Sequence, residues 1–566
     1  MPPVIPILFG AAFTVASATA AGTLLLRRLR VTLARGEATL LAFVCGSACI
    51  SMAVFLLCLV HAARPAVLLG GGAAAICWAL RGKTRRKPLP AIPRMWFALF
   101  LLIFIPFFVM YFFNALAPEI SPDGSGYHLG NVLRMWHRGG FDWGNRTLYA
   151  ELSQGMEMLF LVAFTFGRHS AAALVHFAFL TALPLLILCY GRRFGYPQAG
   201  VFAAVLTFAS PVAGIDGISA YNDVAVATVI FAAFYLLQVW DEKRDSNLLI
   251  LIGLLVGFGY GLKYTAIVFL AALPLCGLRK PIQLKLAIPL AVMILPWMAR
   301  NWIWIGNPVA PFFNRWFPNP YFDAAMEHEY ISGLAHFPGF AQLTIYGRAA
   351  PGILGPVFLL APFALLALRS RQGRRLLAAA AVMALPTVVN CEPRFWIASV
   401  PFLALAMGIA MENSPGVLPA LAVFHAVVSW PAVLGFYCDP AAWRLARMPV
   451  RAALRITPEA EFLTRRLPGY ALKPAIEREV PPGQKIFSIA GRPEAYIDRD
   501  IVVGYESKLG NAAWDALAAH DAAKLKALGI RYLWIDDADP CADSLKNNMK
   551  ITEIAHGHGN NLYRLE

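Results

Sequence analysis

The sequence predicts an α-helical polytopic membrane protein of about 14 spans, closed by a small C-terminal extracytoplasmic α/β domain. Three observations lead there. Of 566 residues, 58% are hydrophobic and only 14% are charged, whereas soluble domains are roughly a quarter charged. Apolar runs recur from Pro3 almost to Tyr437, and short clusters of Lys and Arg separate them, the pattern that fixes membrane orientation. A cytosolic enzyme, a secreted disulfide scaffold and a disordered chain are thereby excluded. The 49 Lys and Arg against 33 Asp and Glu serve orientation, so no nucleic-acid partner is expected. Most of the nine cysteines stand singly in apolar runs, as Cys45, Cys49, Cys58 and Cys189 do, and show no metal-ligand spacing.

A helix needs about 20 apolar residues to cross the hydrocarbon core, and fewer when other helices surround it. The runs that qualify are 3–26, 37–61, 64–80, 94–116, 170–190, 198–213, 223–240, 248–261, 264–277, 284–299, 351–368, 376–390, 396–411 and 417–437. The clusters Arg27/Arg28/Arg30, Arg81/Lys83/Arg85/Arg86/Lys87, Arg192/Arg193, Lys243/Arg244, Arg279/Lys280/Lys285 and Arg369/Arg371/Arg374/Arg375 are expected on the cytoplasmic side. With 81–87 inside, the span 94–116 leads outward, so Arg192 must be reached by an odd number of crossings. Two stretches, 152–167 and 170–190, lie between, and only one of them can span. The first follows Glu151 and carries Glu157, so it is expected to lie along the outer interface. Parity then leaves both chain ends and the loops 117–169, 214–222 and 300–350 outside. No cleavable signal peptide is expected, because the first run lacks a basic n-region. Past Pro440 the charges return, and strand-like Lys485–Ile489, Ile501–Val503 and Tyr532–Ile535 alternate with helical 511–527. That alternation predicts a soluble α/β domain over 441–566.

Charged groups beside a bilayer are costly unless they face water or a cavity, so those at outer span ends are functional candidates. Asp123 lies between Pro122 and Gly124 in the first outer loop, with Tyr127 and His128 about one turn further on; its plain alternative is a helix cap. A second acid stands in Tyr221-Asn222-Asp223, with Asp216 just before it. The plain alternative for Asp223 is a first-turn acid that serves the helix dipole, yet two outer carboxylates also suit a base and its orienter. Lys263, Arg300 and Arg394 fall outside against the positive-inside bias, as a pocket for a lipid phosphate requires. Glu327-His-Glu329 and His556-Gly-His558 lack further ligands, so a resident metal is not demanded, although the outer carboxylates leave room for a divalent ion. Asn145-Arg-Thr147 matches a glycosylation acceptor, and Cys391, Cys438 and Cys541 leave one external disulfide open.

Asp123 with Tyr127-His128-Leu129, Tyr221-Asn222-Asp223, Gly261-Leu-Lys263, Pro296-Trp297 with Arg300-Asn301, Gly306-Asn-Pro308 and Pro393-Arg394-Phe395 resemble the bacterial integral-membrane glycosyltransferases of the GT-C fold. The protein-mannosyltransferase and lipid A aminoarabinose-transferase types are nearest. The resemblance runs from about residue 94 to the end, leaving 1–93 as additional spans and 94–440 as the catalytic module. It implies a polyprenyl-phosphate-linked sugar donor, an outer-face site at the inner membrane facing the periplasm, and inverting transfer to a hydroxyl. Asp123 would be the base and Asp223 the second acid; Lys263, Arg300 and Arg394 would hold the carrier phosphate, with Tyr127, His128 and Asn222 at the substrates. The acceptor would be a glycan, lipid or protein, although Ser121-Pro122 replaces the paired Asp-Glu of protein mannosyltransferases and speaks against protein. No Gly-rich phosphate loop is present, so no nucleotide site is expected. An oligosaccharide polymerase or ligase, or a transporter or lipid flippase, is the rival; the flippase would show broken helices and repeated halves.

Overall fold

The computed structural model describes residues 3–82, 86–278, 284–348, 352–414 and 416–566. Lys83, Arg85, Arg279 and Lys280, expected to orient the chain, lie outside the described residues. Among the described residues, six helices are long and apolar enough to cross a membrane: Val4–Arg28, Glu37–Leu59, Arg94–Leu116, Gly155–Arg193, Asp223–Lys243 and Leu284–Ile305. Two pairs bent by 62° and 79°, Pro197–Ala209 with Pro211–Ile218 and Val417–Val428 with Pro431–Tyr437, raise the number to eight. The expected figure of about 14 spans is therefore not reached by full-length helices. Shorter apolar helices occupy several of the remaining runs: Pro65–Leu80, Asn247–Leu262, Tyr264–Leu275, Pro356–Arg369 and Val400–Ala410. Proline is one cause of the shortening, at Pro274 and Pro362, since it removes a donor and clashes with the preceding turn. Length in residues also understates reach. Pro356–Arg369 is a 14-residue 3₁₀ helix, and a rise of about 2 Å per residue carries that number about 28 Å.

The chain forms two compact units. The first comprises Met1–Ala117, Ser153–Pro296 and Leu334–Ala453; the second comprises Pro118–Leu152, Trp297–Gly333 and Leu454–Glu566. In the first unit the opening helices meet through small residues. A Cβ on Gly22 would fall 1.8 Å from the Ala42 carbonyl oxygen, and one on Gly46 would fall 1.7 Å from that of Ala18. Ala18 and Gly22 thus face Ala42 and Gly46, two small-xxx-small pairs that bring backbones together where lipid offers no hydrophobic drive. Arg193 donates to buried Glu37 at 2.8 Å, and the Tyr235 hydroxyl donates to the same carboxylate, so the second helix is tied to two others. The long Gly155–Arg193 helix breaks at Arg168, whose φ of 58° and ψ of −151° are non-helical. The expectation of two segments, 152–167 and 170–190, matches this break. Gly167 beside it packs 2.7 Å, at an added Cβ, from Ile7 and Pro6.

The second unit holds a five-stranded sheet: β1 Lys485–Ser488, β2 Asp500–Val503, β3 Ile530–Asp536, β4 Ile551–Gly557 and β5 Asn560–Leu565, in the order β2-β1-β3-β5-β4. β1 pairs in parallel with β2 and β3, while β5 runs antiparallel to β3 and β4. Alternation along β3 sends Leu533 and Ile535 to one face with Phe487, Ala513 and Leu545, and Tyr532 and Trp534 to the other with Ile476 and Ile486. Helices Lys508–Ala518 and Ala522–Ala527 take the place of the expected helical stretch 511–527. β4 and β5 were not expected.

Candidate functional site

Two groups of predicted residues assemble, one in each unit. In the first unit, helix Pro211–Ile218 ends just before helix Asp223–Lys243. Asp216 reaches across and accepts from the Val224 N–H at 2.9 Å, satisfying an orphan donor of the new helix. The cap is therefore Asp216, placed at a helix end instead of in a loop, and Asp223 is released from capping. Asp223 Oδ1 lies 2.5 Å from Lys263 Nζ. Lys263 stands where helix Asn247–Leu262 gives way to a 3₁₀ turn, in extended backbone. Asn222 fixes this pairing, its side-chain amide donating to the Leu262 carbonyl at 2.9 Å. One amide N–H of Asn222 is thus used on the scaffold.

Arg394 enters on the 3₁₀ turn Pro393–Trp396. Its Nε donates to Glu392 at 2.8 Å, and its guanidinium lies 5.8 Å from the Tyr221 ring and 5.7 Å from that of Phe395. Lys263 Nζ stands 4.0 Å from the Phe395 centroid, and Trp443 stacks on Tyr221 at 5.1 Å. Both cations act electrostatically on Asp216 and Asp223. Sequence reasoning missed His176, fully buried. Its Nδ1 donates to the Ser219 carbonyl at 2.8 Å and its Nε2 accepts from the Ala225 N–H at 3.2 Å, which holds the turn carrying Asp223. A lone His inside an apolar run was the available signal.

In the second unit Asp123 precedes a single wide turn, Gly124–His128, and makes no side-chain cap bond. The capping alternative is thus not what the side chain does. The Tyr127 hydroxyl donates to Asp123 Oδ2 at 3.4 Å, and the Tyr127 ring stacks on Tyr149 at 3.9 Å and 3°. His128 is buried, its ring 4.3 Å from that of Tyr127. Burial first, then neighbouring Tyr505, push the Tyr149 hydroxyl well above its ordinary value, so it stays a donor.

Arg300, in the same unit, is 2% exposed. One of its terminal nitrogens lies 3.3, 3.0 and 2.9 Å from the carbonyls of Ala150, Glu151 and Leu152. Its guanidinium is boxed by Phe141, Trp297 and Trp304 at 5.1–5.4 Å, and Asn301 donates to the Glu151 carbonyl at 2.7 Å. This is a clamp on the chain at 150–152. By contrast the side chains of Lys263 and Arg394 remain 22% and 24% accessible. The Glu151 carboxyl accepts from Asn319 at 2.6 Å, and burial pushes it up to about 8 against the opposing pull of Asn319 and Arg300.

The weaker motifs resolve into structure. Glu327 accepts from the Phe313 and Asn314 N–H groups at 2.8 and 2.9 Å. His556 bonds Asn561 across the β4–β5 hairpin at 2.7 Å, and His558 is a turn residue of that hairpin. Among the described residues no group of three His, Cys, Asp or Glu is placed to hold a metal. All nine cysteines are free thiols, so the disulfide among Cys391, Cys438 and Cys541 is not formed.

A family model described as dolichyl-phosphate-mannose-protein mannosyltransferase matches residues 158–304, a stretch that holds Asp223, Lys263 and Arg300 but neither Asp123 nor Arg394. ArnT from Cupriavidus metallidurans in the apo state is 14% identical, covers 83% of this chain and 97% of its own, and has a TM-score of 0.52. The same protein bound to undecaprenyl phosphate is 15% identical, covers 82% and 97%, and has a TM-score of 0.50. No curated protein matches in sequence. The fold is that of the GT-C glycosyltransferases, as the motifs implied.

Proposed function

We propose that the chain is a glycosyltransferase that moves a sugar from a polyprenyl-phosphate donor to an acceptor hydroxyl, with inversion, at the outer face of a bacterial inner membrane. The observation that carries this reading is the cation group of the first unit. Lys263 and Arg394 are accessible, each is held by a carboxylate, and both are flanked by Phe395. Without donor the acids balance the cations. A phosphate entering there takes charge-assisted hydrogen bonds from both. The fold likeness to ArnT, solved with undecaprenyl phosphate bound, supports the same ligand class.

In the reaction the acceptor oxygen attacks the anomeric carbon, its proton passes to Asp123, and the bond from that carbon to the phosphate oxygen breaks. The electron pair leaves on polyprenyl phosphate. General base help of this kind contributes about 10²- to 10⁴-fold. Lys263 and Arg394 act on the leaving group, whose charge grows as the bond breaks, so they stabilise the transition state more than the ground state. Asp223 orients Lys263. Arg300 is left out of the phosphate set because it is buried and one of its terminal nitrogens is held by three backbone carbonyls.

One observation favours a transporter instead: spans bent by 62° and 79° and the backbone break at Lys263, the discontinuities such proteins use at their binding sites. The lipids of a deletion strain distinguish the readings. A transferase leaves its unused polyprenyl-phosphate sugar to accumulate on the outer leaflet; an unchanged pool of lipid-linked sugars would contradict the proposal.

A further inference from the structure

The C-terminal α/β domain has no part in the chemistry so far, yet one of its side chains reaches the surroundings of Asp123. All the residues concerned belong to the second unit. The segment after β2 is tied to the early loop, where the Leu148 N–H donates to the Glu506 carbonyl at 2.9 Å, and to the middle loop, where the Lys508 N–H donates to the Tyr321 carbonyl at 2.8 Å. Immediately before those ties stands Tyr505, 45% exposed. The Tyr505 hydroxyl lies 3.7 Å from the position of a Cβ on Gly491, and the carbonyl of the next residue, Arg492, lies 3.6 Å from that of a Cβ on Gly126, three residues from Asp123. Tyr505 and Tyr149 act electrostatically on each other, and Asp123 and Tyr330 act on both. Tyr149 and Tyr330 also pack on one small apolar cluster of Leu148, Phe322 and Met326. Tyr127, stacked on Tyr149, donates to Asp123.

Three tyrosines and a carboxylate are thus gathered from two chain segments far apart in sequence. Each phenol offers an apolar ring with a polar rim. Sugar rings have the complementary form, an apolar C–H face edged by hydroxyls, and a carboxylate with phenol groups is a strong acceptor and donor set for those hydroxyls. A threonine or serine side chain has no such face to cover. A tyrosine ring has only two side-chain torsions to order on binding, so it costs little entropy for the contact area it offers.

We infer that Tyr505, with Tyr127 and Tyr149, forms the acceptor platform beside Asp123, and that the acceptor it takes is the ring of a glycan. This rests on the proposed transferase reading and deepens it. The C-terminal domain then acts as the acceptor-reading part of the enzyme, and Tyr505 is a specificity-determining residue.

The test uses the full-length protein in detergent, without donor, and saturation-transfer NMR with methyl glucoside, maltotriose and N-acetyl-threonine methylamide as probes. Saturation should pass from aromatic protons to the C–H protons of the sugar rings and not to the threonine probe. Tyr505→Leu should reduce the transfer about fivefold to tenfold, the loss of one aromatic contact, while Tyr505→Phe should retain it. Since Tyr505 is exposed, neither change threatens the core. Transfer to neither sugar, equal transfer in Tyr505→Leu, or preferential transfer to the threonine probe would overturn the inference. Failure of the underlying reading looks different: sugar binding that depends on Tyr505, together with full donor turnover in Asp123→Asn, would keep the platform and remove the proposed base.

Discussion

Lys263, Arg300 and Arg394 carry the same charge and differ in what surrounds them. Arg300 is enclosed and bonded to three carbonyls; the other two keep accessible side chains. Neutralising Lys263 or Arg394 should therefore remove a charge-assisted bond worth roughly 1.5–3 kcal/mol and raise the donor KM about ten- to a hundredfold. Arg394→Lys should also be impaired, since an ammonium cannot supply a bidentate fork. Arg300→Met should instead lower the melting temperature and leave the donor KM of the surviving protein unchanged; a selective rise in KM would return Arg300 to the phosphate site. Glu151 gives a pH signature. Its carboxyl keeps its proton in the fold up to about 8, against an ordinary 4.5, so the unfolded chain releases that proton first. Stability is then full below pH about 4.5 and falls as pH rises towards 8. Glu151→Gln should flatten that part of the melting-temperature profile, and a profile as steep as the wild type would show that Glu151 is not its source.

At the scale of elements, the sequence was most informative where hydropathy and charge act alone. Val4–Arg28, Glu37–Leu59 and Arg94–Leu116 fall within a few residues of the runs 3–26, 37–61 and 94–116, and the parity of Arg192 and Arg193 called for a division where Arg168 breaks the helix. What hydropathy cannot carry is the backbone form of a run, so the 3₁₀ reach of Pro356–Arg369 was not legible. The β4–β5 hairpin was missed because β4 is only partly buried along its length and lacks a marked alternation. The turn itself was a signal: His558 and Gly559 both have positive φ, 50° and 77°, the two-residue form that fits a hairpin twist. Asp223 and Lys263, 40 residues apart, could be named from span ends, but their pairing depends on a fold that brings two helix ends together. The opening helices give a test at this scale. Gly22→Leu would drive a side chain into the Ala42 backbone, and the glycine motif predicts separation of the first two helices, with a melting temperature well below that of Ala21→Leu, a change one position away. Equal stability of the two variants would dissolve the motif.

For the whole molecule, the proposal gives the phosphate and the proton to different residues. Lys263 and Arg394 hold the carrier phosphate, while Asp123 takes the proton. Binding alone cannot establish this, since a flippase would also bind the phosphate. The most direct measurement is turnover by purified protein in detergent, where no second compartment exists, with polyprenyl-phosphate sugar and a panel of glycan acceptors. The wild type should release free polyprenyl phosphate, and Asp123→Asn, nearly equal in volume, should lower that release by at least about 10²-fold with donor binding preserved. Donor that stays intact with every acceptor, or full release by Asp123→Asn, would contradict the account.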